Sequence, residues 1–379
     1  MIKIVTIIGA RPQIIKAAAL SRAINKKFVN KIQEIIIHTG QHYDDNMSQV
    51  FFDELSIPKP HFNLNVRLTA HGEQTGMMIK GIEEVIEKEK PDCVVIYGDT
   101  NSTLAAAIAA SKIHIPIVHI EAGLRSYNKL MPEELNRVIS DHVSTFLFCP
   151  TQTAYNNLLN EGFKQNNHGP FSINNPGVYQ CGDIMFDNSL YFAELSESRK
   201  SILSENDLKS NHYILATVHR DNNTDDALRL KSIFSAMIKI AEKIKIVVPL
   251  HPRTKKQLEQ NPKLLEKIQS NRNILLLKPV SFLEMICLEK NAAIVITDSG
   301  GVQKEAFFFK KPCIILRSET EWVELVACGA SKLADADEGL IIDAVNYFFN
   351  LKSLDFPDLF GTGKAAEFIC EEILANLIV

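Results

Sequence analysis

The sequence holds neither a GxGxxG dinucleotide fingerprint nor a GxxxxGK[ST] phosphate loop, which argues against a nicotinamide enzyme and a P-loop NTPase. It also lacks paired cysteines. The 7 cysteines (Cys93, Cys149, Cys181, Cys287, Cys313, Cys328, Cys370) stand singly, mostly in apolar runs, with no CxxC or His-Cys cluster. Buried free thiols are therefore expected, rather than disulfides or structural zinc. Long apolar runs are missing as well: Met1 to Ile8 is apolar, but Arg11 and Lys16 interrupt it before a signal-peptide core or a span of ~20 residues could form. A cytoplasmic protein with no membrane insertion is expected. A net charge of -4 gives no reason to expect a nucleic-acid partner. No internal repeat or low-complexity tract stands out.

What is present is an alternation. With 379 residues, 46% hydrophobic and 23% charged, the chain reads as an ordinary globular protein of two domains, at ~150 residues per domain. Short apolar runs at 1–8, 34–38, 93–97, 115–120, 145–149 and 178–181 predict strands. Helical spacing at 12–25, 77–87, 102–111, 133–141 and 153–159 predicts helices between them. A polar, Ser-rich segment over 187–210 predicts a linker. The alternation then restarts, with strands at 213–217, 244–250, 274–277, 293–297 and 313–316, and the chain ends in a helical pattern over 365–377. Near-continuous apolar strands alternating with helices imply parallel sheets covered on both faces. The expected fold class is α/β, two Rossmann-like doubly wound domains facing a cleft, with boundaries at 1–187, 188–361 and 362–379.

Ligands of open α/β sheets bind beyond the carboxyl ends of the strands, so the residues there are the candidates for chemistry. In the first domain, Gly9-Ala-Arg-Pro-Gln-Ile-Ile-Lys16 is a tight turn opening a helix, with Arg11 and Lys16 able to reach an anion or to serve as surface charges. Asp99 follows the third strand as a site carboxylate or a helix cap. Glu121 ends the next strand as a second site acid or as a partner of Arg125 or His119. Glu133 lies in the first turn of the helix opened by Pro132, as a third acid or as an i,i+4 partner of Arg137. Glu134 lies ~100° around that helix from Glu133, so the two do not share a face.

In the second domain, His219 and Arg220 end one strand and His251-Pro-Arg253 the next. The run Thr297-Asp-Ser-Gly-Gly-Val-Gln-Lys-Glu305 reads as strand, turn and helix. Ser299, Gly300 and Gly301 then form either an anion site at a helix start or a glycine turn capped by Asp298 or Ser299, with Glu305 one turn in. Acids and cations in one domain and an anion site in the other suggest a nucleotide sugar.

These residues resemble the motifs of the non-hydrolysing UDP-N-acetylglucosamine 2-epimerases: Gly9 to Lys16, Gly98-Asp-Thr-Asn-Ser-Thr103, His119-Ile-Glu-Ala-Gly-Leu-Arg125, Pro132 to Arg137, Val218-His-Arg220 and Asp298 to Glu305. The resemblance runs in order from residue 2 to about 375. It implies the glycosyltransferase B fold, with the last helix crossing back onto the first domain, a homodimer, and no cofactor or metal. It implies Asp99, Glu121, Glu133 and His219 as catalytic residues. Arg11, Lys16, Arg137, His219, Ser299, Gly300, Gly301 and Glu305 are implied as contacts to the UDP-sugar.

The implied reaction is anti elimination of UDP and its re-addition through a glycal, supplying a precursor for surface polysaccharide. The rivals are a glycosyltransferase of the same fold, a non-catalytic UDP-sugar-binding protein and a hydrolysing epimerase. Two segments depart from the commoner members, which read Arg-Pro-Glu and Gln-His-Arg where this chain has Arg11-Pro-Gln13 and Gln41-His-Tyr43. The second forms part of the allosteric UDP-N-acetylglucosamine site of bacterial members. His251-Pro-Arg-Thr254, Lys304-Glu-Ala-Phe-Phe-Phe309 and Thr320-Glu-Trp-Val-Glu-Leu325 look more like the subgroup acting on UDP-2,3-diacetamido-2,3-dideoxy-glucuronate.

Overall fold

A computed structural model describes residues 1–41, 58–165 and 167–377. The chain divides into two compact units, Met1–Asn188 with Asp358–Val379, and Ser189–Pro357.

The first unit carries β1 (Ile2–Ile8), β2 (Ile32–His38), β3 (Phe62–Asn63), β4 (Cys93–Tyr97), β5 (Ile117–Ile120), β6 (Phe146–Cys149) and β7 (Gly177–Gln180). They form one sheet in the order β3-β2-β1-β4-β5-β6-β7, parallel throughout. The strands are apolar on both faces because helices cover both. Ile4, Ile7 and Ile8 are at most 1% exposed, and burying each such side chain contributes roughly 2 kcal/mol. The helix Ala365–Asn376 packs on the helix Arg11–Ala23 within this unit and buries Ile369, Cys370 and Ile373.

The second unit carries β8 (Tyr213–Thr217), β9 (Lys245–Pro249), β10 (Ile274–Leu277), β11 (Ile294–Thr297), β12 (Cys313–Ile315) and β13 (Ser331–Leu333). Their order is β10-β9-β8-β11-β12-β13, again all parallel. The core gathers Ile214, Ile233, Phe234, Met237, Ile246 and Ile296.

The short strands β3 and β13 had no signal in the sequence. Each lies at an edge of its sheet and is too brief for a period-2 pattern to emerge. The segment 187–210, expected as a linker, is largely helical: Ile184–Leu195 is followed by helical turns at Ser196–Arg199 and Ser201–Glu205. Its polar composition hides Phe192, Ala193, Ile202 and Leu208, all of which are buried. No described helix is long and apolar enough to cross a membrane.

Candidate active site

Each sheet reverses its strand order once, between β1 and β4 and between β8 and β11. That is where a doubly wound sheet opens a crevice for a ligand. The candidate residues gather at these two places.

In the first unit the turn after β1 is set by Gly9 and Gln13. A Cβ on Gly9 would collide with the hydroxyls of Ser102 and Thr39, so only glycine lets the turn sit on the helix Asn101–Lys112. The buried Gln13 amide is used at both ends. Its Oε1 accepts from Gly9 N at 2.9 Å and Ala10 N at 3.1 Å, while its Nε2 donates to the Tyr97 carbonyl and Thr103 Oγ1, both at 2.9 Å. The start of the helix Arg11–Ala23 is thereby tied to the end of β4. Arg11 is exposed in the first turn of that helix, and Lys16 lies half-buried further along it.

Gly98, just past β4, takes a φ of +61°. A Cβ there would lie 3.2 Å from Glu121 Oε2 and 3.4 Å from Lys16 Nζ, so the absent side chain leaves room for that pair. Lys16 and Glu121 form an ion pair. Of the two readings of Glu121, the pair with Arg125 or His119 is not the one formed: its partner is Lys16, because β1 and β5 both flank β4 in the sheet. Glu121 sits at a φ of +69°, which costs a non-glycine residue on the order of 1 kcal/mol. The turn is held by N–H groups of Glu121 and Ala122, donating to the Phe148 carbonyl at 3.1 and 3.0 Å.

Asp99 is not a helix cap. Thr100 takes that role, its hydroxyl accepting from Thr103 N at 3.3 Å, and Asp99 pairs with Arg137. Asn136 Nδ2 donates to the Asp99 carbonyl at 2.9 Å. Arg137 also meets Glu134 at 3.0 Å, so of the two readings of Glu133 the i,i+4 pair with Arg137 is not the one formed. Glu134 accepts from Ser126 N, Ser126 Oγ and Tyr127 N, each at 2.9 Å. Burial alone would raise its carboxyl, but these donors and Arg137 hold it below the usual range. Glu134 anchors a loop, while Glu133 is exposed and, among the described residues, forms no ion pair.

Behind this surface lie three buried side chains, His119, Asp141 and Arg125. His119 Nδ1 is 2.7 Å from Asp141 Oδ1, and its Nε2 is 2.8 Å from the Gly98 carbonyl. Asp141 Oδ2 accepts from Gly123 N at 3.2 Å and meets Arg125 Nη1 at 2.7 Å. Arg125 in turn holds Glu161 through Nε and Nη2 at 2.6 and 2.7 Å. The sequence signal for these residues was the motif His119 to Arg125, but Asp141 was missed because it lies in an unremarkable helical pattern.

In the second unit, Asp298 ends β11 and is fully buried. Its carboxylate accepts from His219 N at 3.1 and 3.0 Å, Arg220 N at 3.0 Å and Asn223 Nδ2 at 3.2 Å, and faces His219 Nδ1 at 3.3 Å. The His219 ring is thus aimed from the end of β8 by the end of β11. The His251 ring lies beside it, with centroids 5.6 Å apart. Burial first, then His219 and Arg253, push His251 down from its ordinary value and favour a neutral ring.

Ser299 is the N-cap of the helix Gly300–Phe308, its Oγ accepting from Val302 N at 3.5 Å. A Cβ on Gly301 would meet only Ser299 Oγ, at 3.9 Å, whereas one on Gly300 would come 2.5 Å from Glu321 Oε1. The helix start is therefore open on one side and lined by Glu321 on the other. Its free N–H groups and positive end suit a phosphate. Glu305 lies half-buried in the same helix, and Glu289, fully buried nearby, has its carboxyl pushed well up by burial and then by Glu305. Of the Gln41-His-Tyr43 departure, Gln41 accepts from Ser102 N at 3.1 Å and Ser102 Oγ at 2.7 Å. His42 and Tyr43 lie outside the described residues.

Two doubly wound α/β units, the last helix returning to the first, define a protein of the glycosyltransferase B-like class. Its relatives are more specific. The family model for UDP-N-acetylglucosamine 2-epimerase matches residues 24–374. A UDP-N-acetylglucosamine 2-epimerase homolog of Methanococcus maripaludis is 50% identical over 99% of this chain and 100% of its own. The UDP-2,3-diacetamido-2,3-dideoxy-D-glucuronate 2-epimerase of Pseudomonas aeruginosa is 48% identical over 97% of this chain and 98% of its own. A crystal structure of the Methanocaldococcus jannaschii UDP-GlcNAc 2-epimerase, in complex with UDP-GlcNAc and UDP, is 42% identical. It covers 99% of this chain and 100% of that one at a TM-score of 0.80. The chain belongs to the UDP-N-acetylglucosamine 2-epimerase family.

Proposed function

We propose that the protein inverts C2 of a UDP-2-acetamido sugar, of the UDP-N-acetylglucosamine to UDP-N-acetylmannosamine type, without net hydrolysis. Strand-end carboxylates of a family of epimerases carry the reading: Asp99 and Glu121 flank Gly98, each paired with a cation. A carboxylate removes the C2 proton, the C2–H electron pair becomes the C1=C2 bond of a glycal, and the C1–O electrons leave with UDP. Protonation of C2 on the opposite face and return of UDP to C1 complete the inversion. Asp99, Glu121 and Glu133 are assigned to proton transfer. Arg11, Lys16 and Arg137 supply positive charge to the substrate. His219, Ser299, Gly300 and Gly301 hold the diphosphate that must depart and return, and Glu305 accepts from the ribose hydroxyls.

A second reading has a specific observation behind it. The 48% identity to the diacetamido-glucuronate epimerase supports UDP-2,3-diacetamido-2,3-dideoxy-glucuronate as the substrate of the same chemistry. Both readings fit a cytoplasmic homodimer feeding surface polysaccharide synthesis, and light scattering tests the dimer. The decisive experiment is incubation with each UDP-sugar in heavy water, followed by NMR. Deuterium entering C2 together with the epimer is expected for the true substrate. Glycosyl transfer or free sugar without C2 exchange would make the protein a transferase or a hydrolase, and binding without either would leave it a sensor.

A further inference from the structure

We infer that His119 is a buried imidazolium whose two N–H groups clamp the Gly98 carbonyl and the Asp141 carboxylate, a positioning residue for Asp99 and Glu121. The inference follows from what each ring nitrogen faces. A carbonyl oxygen can only accept a hydrogen bond, and it stands 2.8 Å from Nε2. Asp141 is also an acceptor: it pairs with the Arg125 guanidinium at 2.7 Å, and its Oδ2 accepts from Gly123 N at 3.2 Å. It stands 2.7 Å from Nδ1. A neutral ring carries one hydrogen and would turn a lone pair on one of these oxygens at under 3 Å. Both nitrogens therefore carry hydrogen.

The charges around it agree. His119, Asp141 and the Arg125 side chain are at most 1% exposed, and Glu161 caps the outer side of Arg125 while meeting the more exposed His142 at 3.4 Å. Asp141 and Glu161 against Arg125 alone would leave a net negative charge beside groups removed from water, which is costly. A cationic His119 makes the set neutral.

The clamp joins the three segments that carry the candidate acids. Gly98 precedes Asp99 and lies against Glu121. Gly123, bound through Asp141 Oδ2, fixes the left-handed turn at Glu121. Asp141 belongs to the helix Pro132–His142, which presents Glu133 and Arg137. His119 touches none of the reacting groups and acts through these backbones. Its catalytic consequence rests on the epimerase reading; its charge state does not.

The test uses the full-length protein labelled with [15N]histidine. The long-range 1H–15N spectrum at the assay pH is expected to hold one ring with both nitrogens in the imidazolium range, lost in His119→Gln. That variant is expected to lower kcat for C2 exchange about 10- to 100-fold, the scale of an ångström-sized misplacement of catalytic groups. KM and the UDP dissociation constant should stay within about threefold. A neutral-tautomer pattern for His119, or a folded variant with unchanged kcat, overturns the proposal. So does a kcat loss matched by an equal loss of UDP affinity, which would indicate a general structural role. If the variant does not fold, the ring is assigned by correlation to the His119 backbone in the wild type, and its nitrogen shifts decide. Wild-type protein that binds UDP but shows no C2 exchange overturns the epimerase reading instead, while the nitrogen shifts still decide the clamp.

Discussion

At Gln13 one buried amide satisfies two donors and two acceptors on three segments. Gln13→Met keeps the volume but removes the acceptor of Gly9 N and Ala10 N, while the Tyr97 carbonyl keeps Thr103 Oγ1 as a donor at 2.7 Å. We expect a loss of about 2–4 kcal/mol in urea unfolding, and a loss under 1 kcal/mol would show that other partners take over. In sequence this residue read only as a departure from a motif, since nothing local reveals a bond across 84 or 90 positions. Asp99 and Glu121 were legible because strand ends are legible. Their partners were not, because Lys16–Glu121 and Arg137–Asp99 depend on strand order. For the acids themselves, Asp99→Asn, Glu121→Gln and Glu133→Gln are each expected to cut turnover by about 100-fold or more, with UDP binding by calorimetry little changed. Normal turnover in all three would refute the assignment.

Among the elements, the helix Ala365–Asn376 shows how a pattern can be plain and its docking hidden. Its helical period was readable, but its place beside the helix Arg11–Ala23 was implied only by the family resemblance. Lys364, its N-cap, offers no side-chain bond. Asp187 supplies one instead, accepting from Ala365 N at 3.1 Å and Ala366 N at 2.8 Å. Burial raises the Asp187 carboxyl to about 6 despite these donors. The folded protein thus holds this proton more tightly than the unfolded chain, whose carboxyl titrates near ~4. Between those values the group's contribution to stability falls as pH rises, by about 3 kcal/mol in total. Urea midpoints from pH 4 to pH 7 should therefore slope less steeply downward in Asp187→Asn than in the wild type. Parallel curves would refute this.

At the scale of the molecule, the second unit is an uninterrupted stretch, Ser189–Pro357, with its own core and its own strand-order reversal. Excised, it is expected to unfold cooperatively and to bind UDP measurably by calorimetry, since His219, Ser299, Gly300, Gly301 and Glu305 all lie within it. A fragment without a cooperative transition would show that its stability is borrowed. This second alternation was legible because apolar strands and helical periods are local signals. Which residues of 187–210 are buried is not a local signal, so its helices were not foreseen, although the boundary between the units, at Asn188 and Ser189, falls within it.

The first unit is interrupted, and its last helix is made after the whole of the second. During synthesis, then, the sheet of the first unit emerges while the face of the helix Arg11–Ala23 on which the last helix packs is still uncovered. At ~5–20 residues per second, the ribosome takes roughly 10 to 30 s to pass through the intervening unit. The nascent chain is exposed on an apolar face for that long, so the order in which the two units mature is the reverse of the order in which they begin.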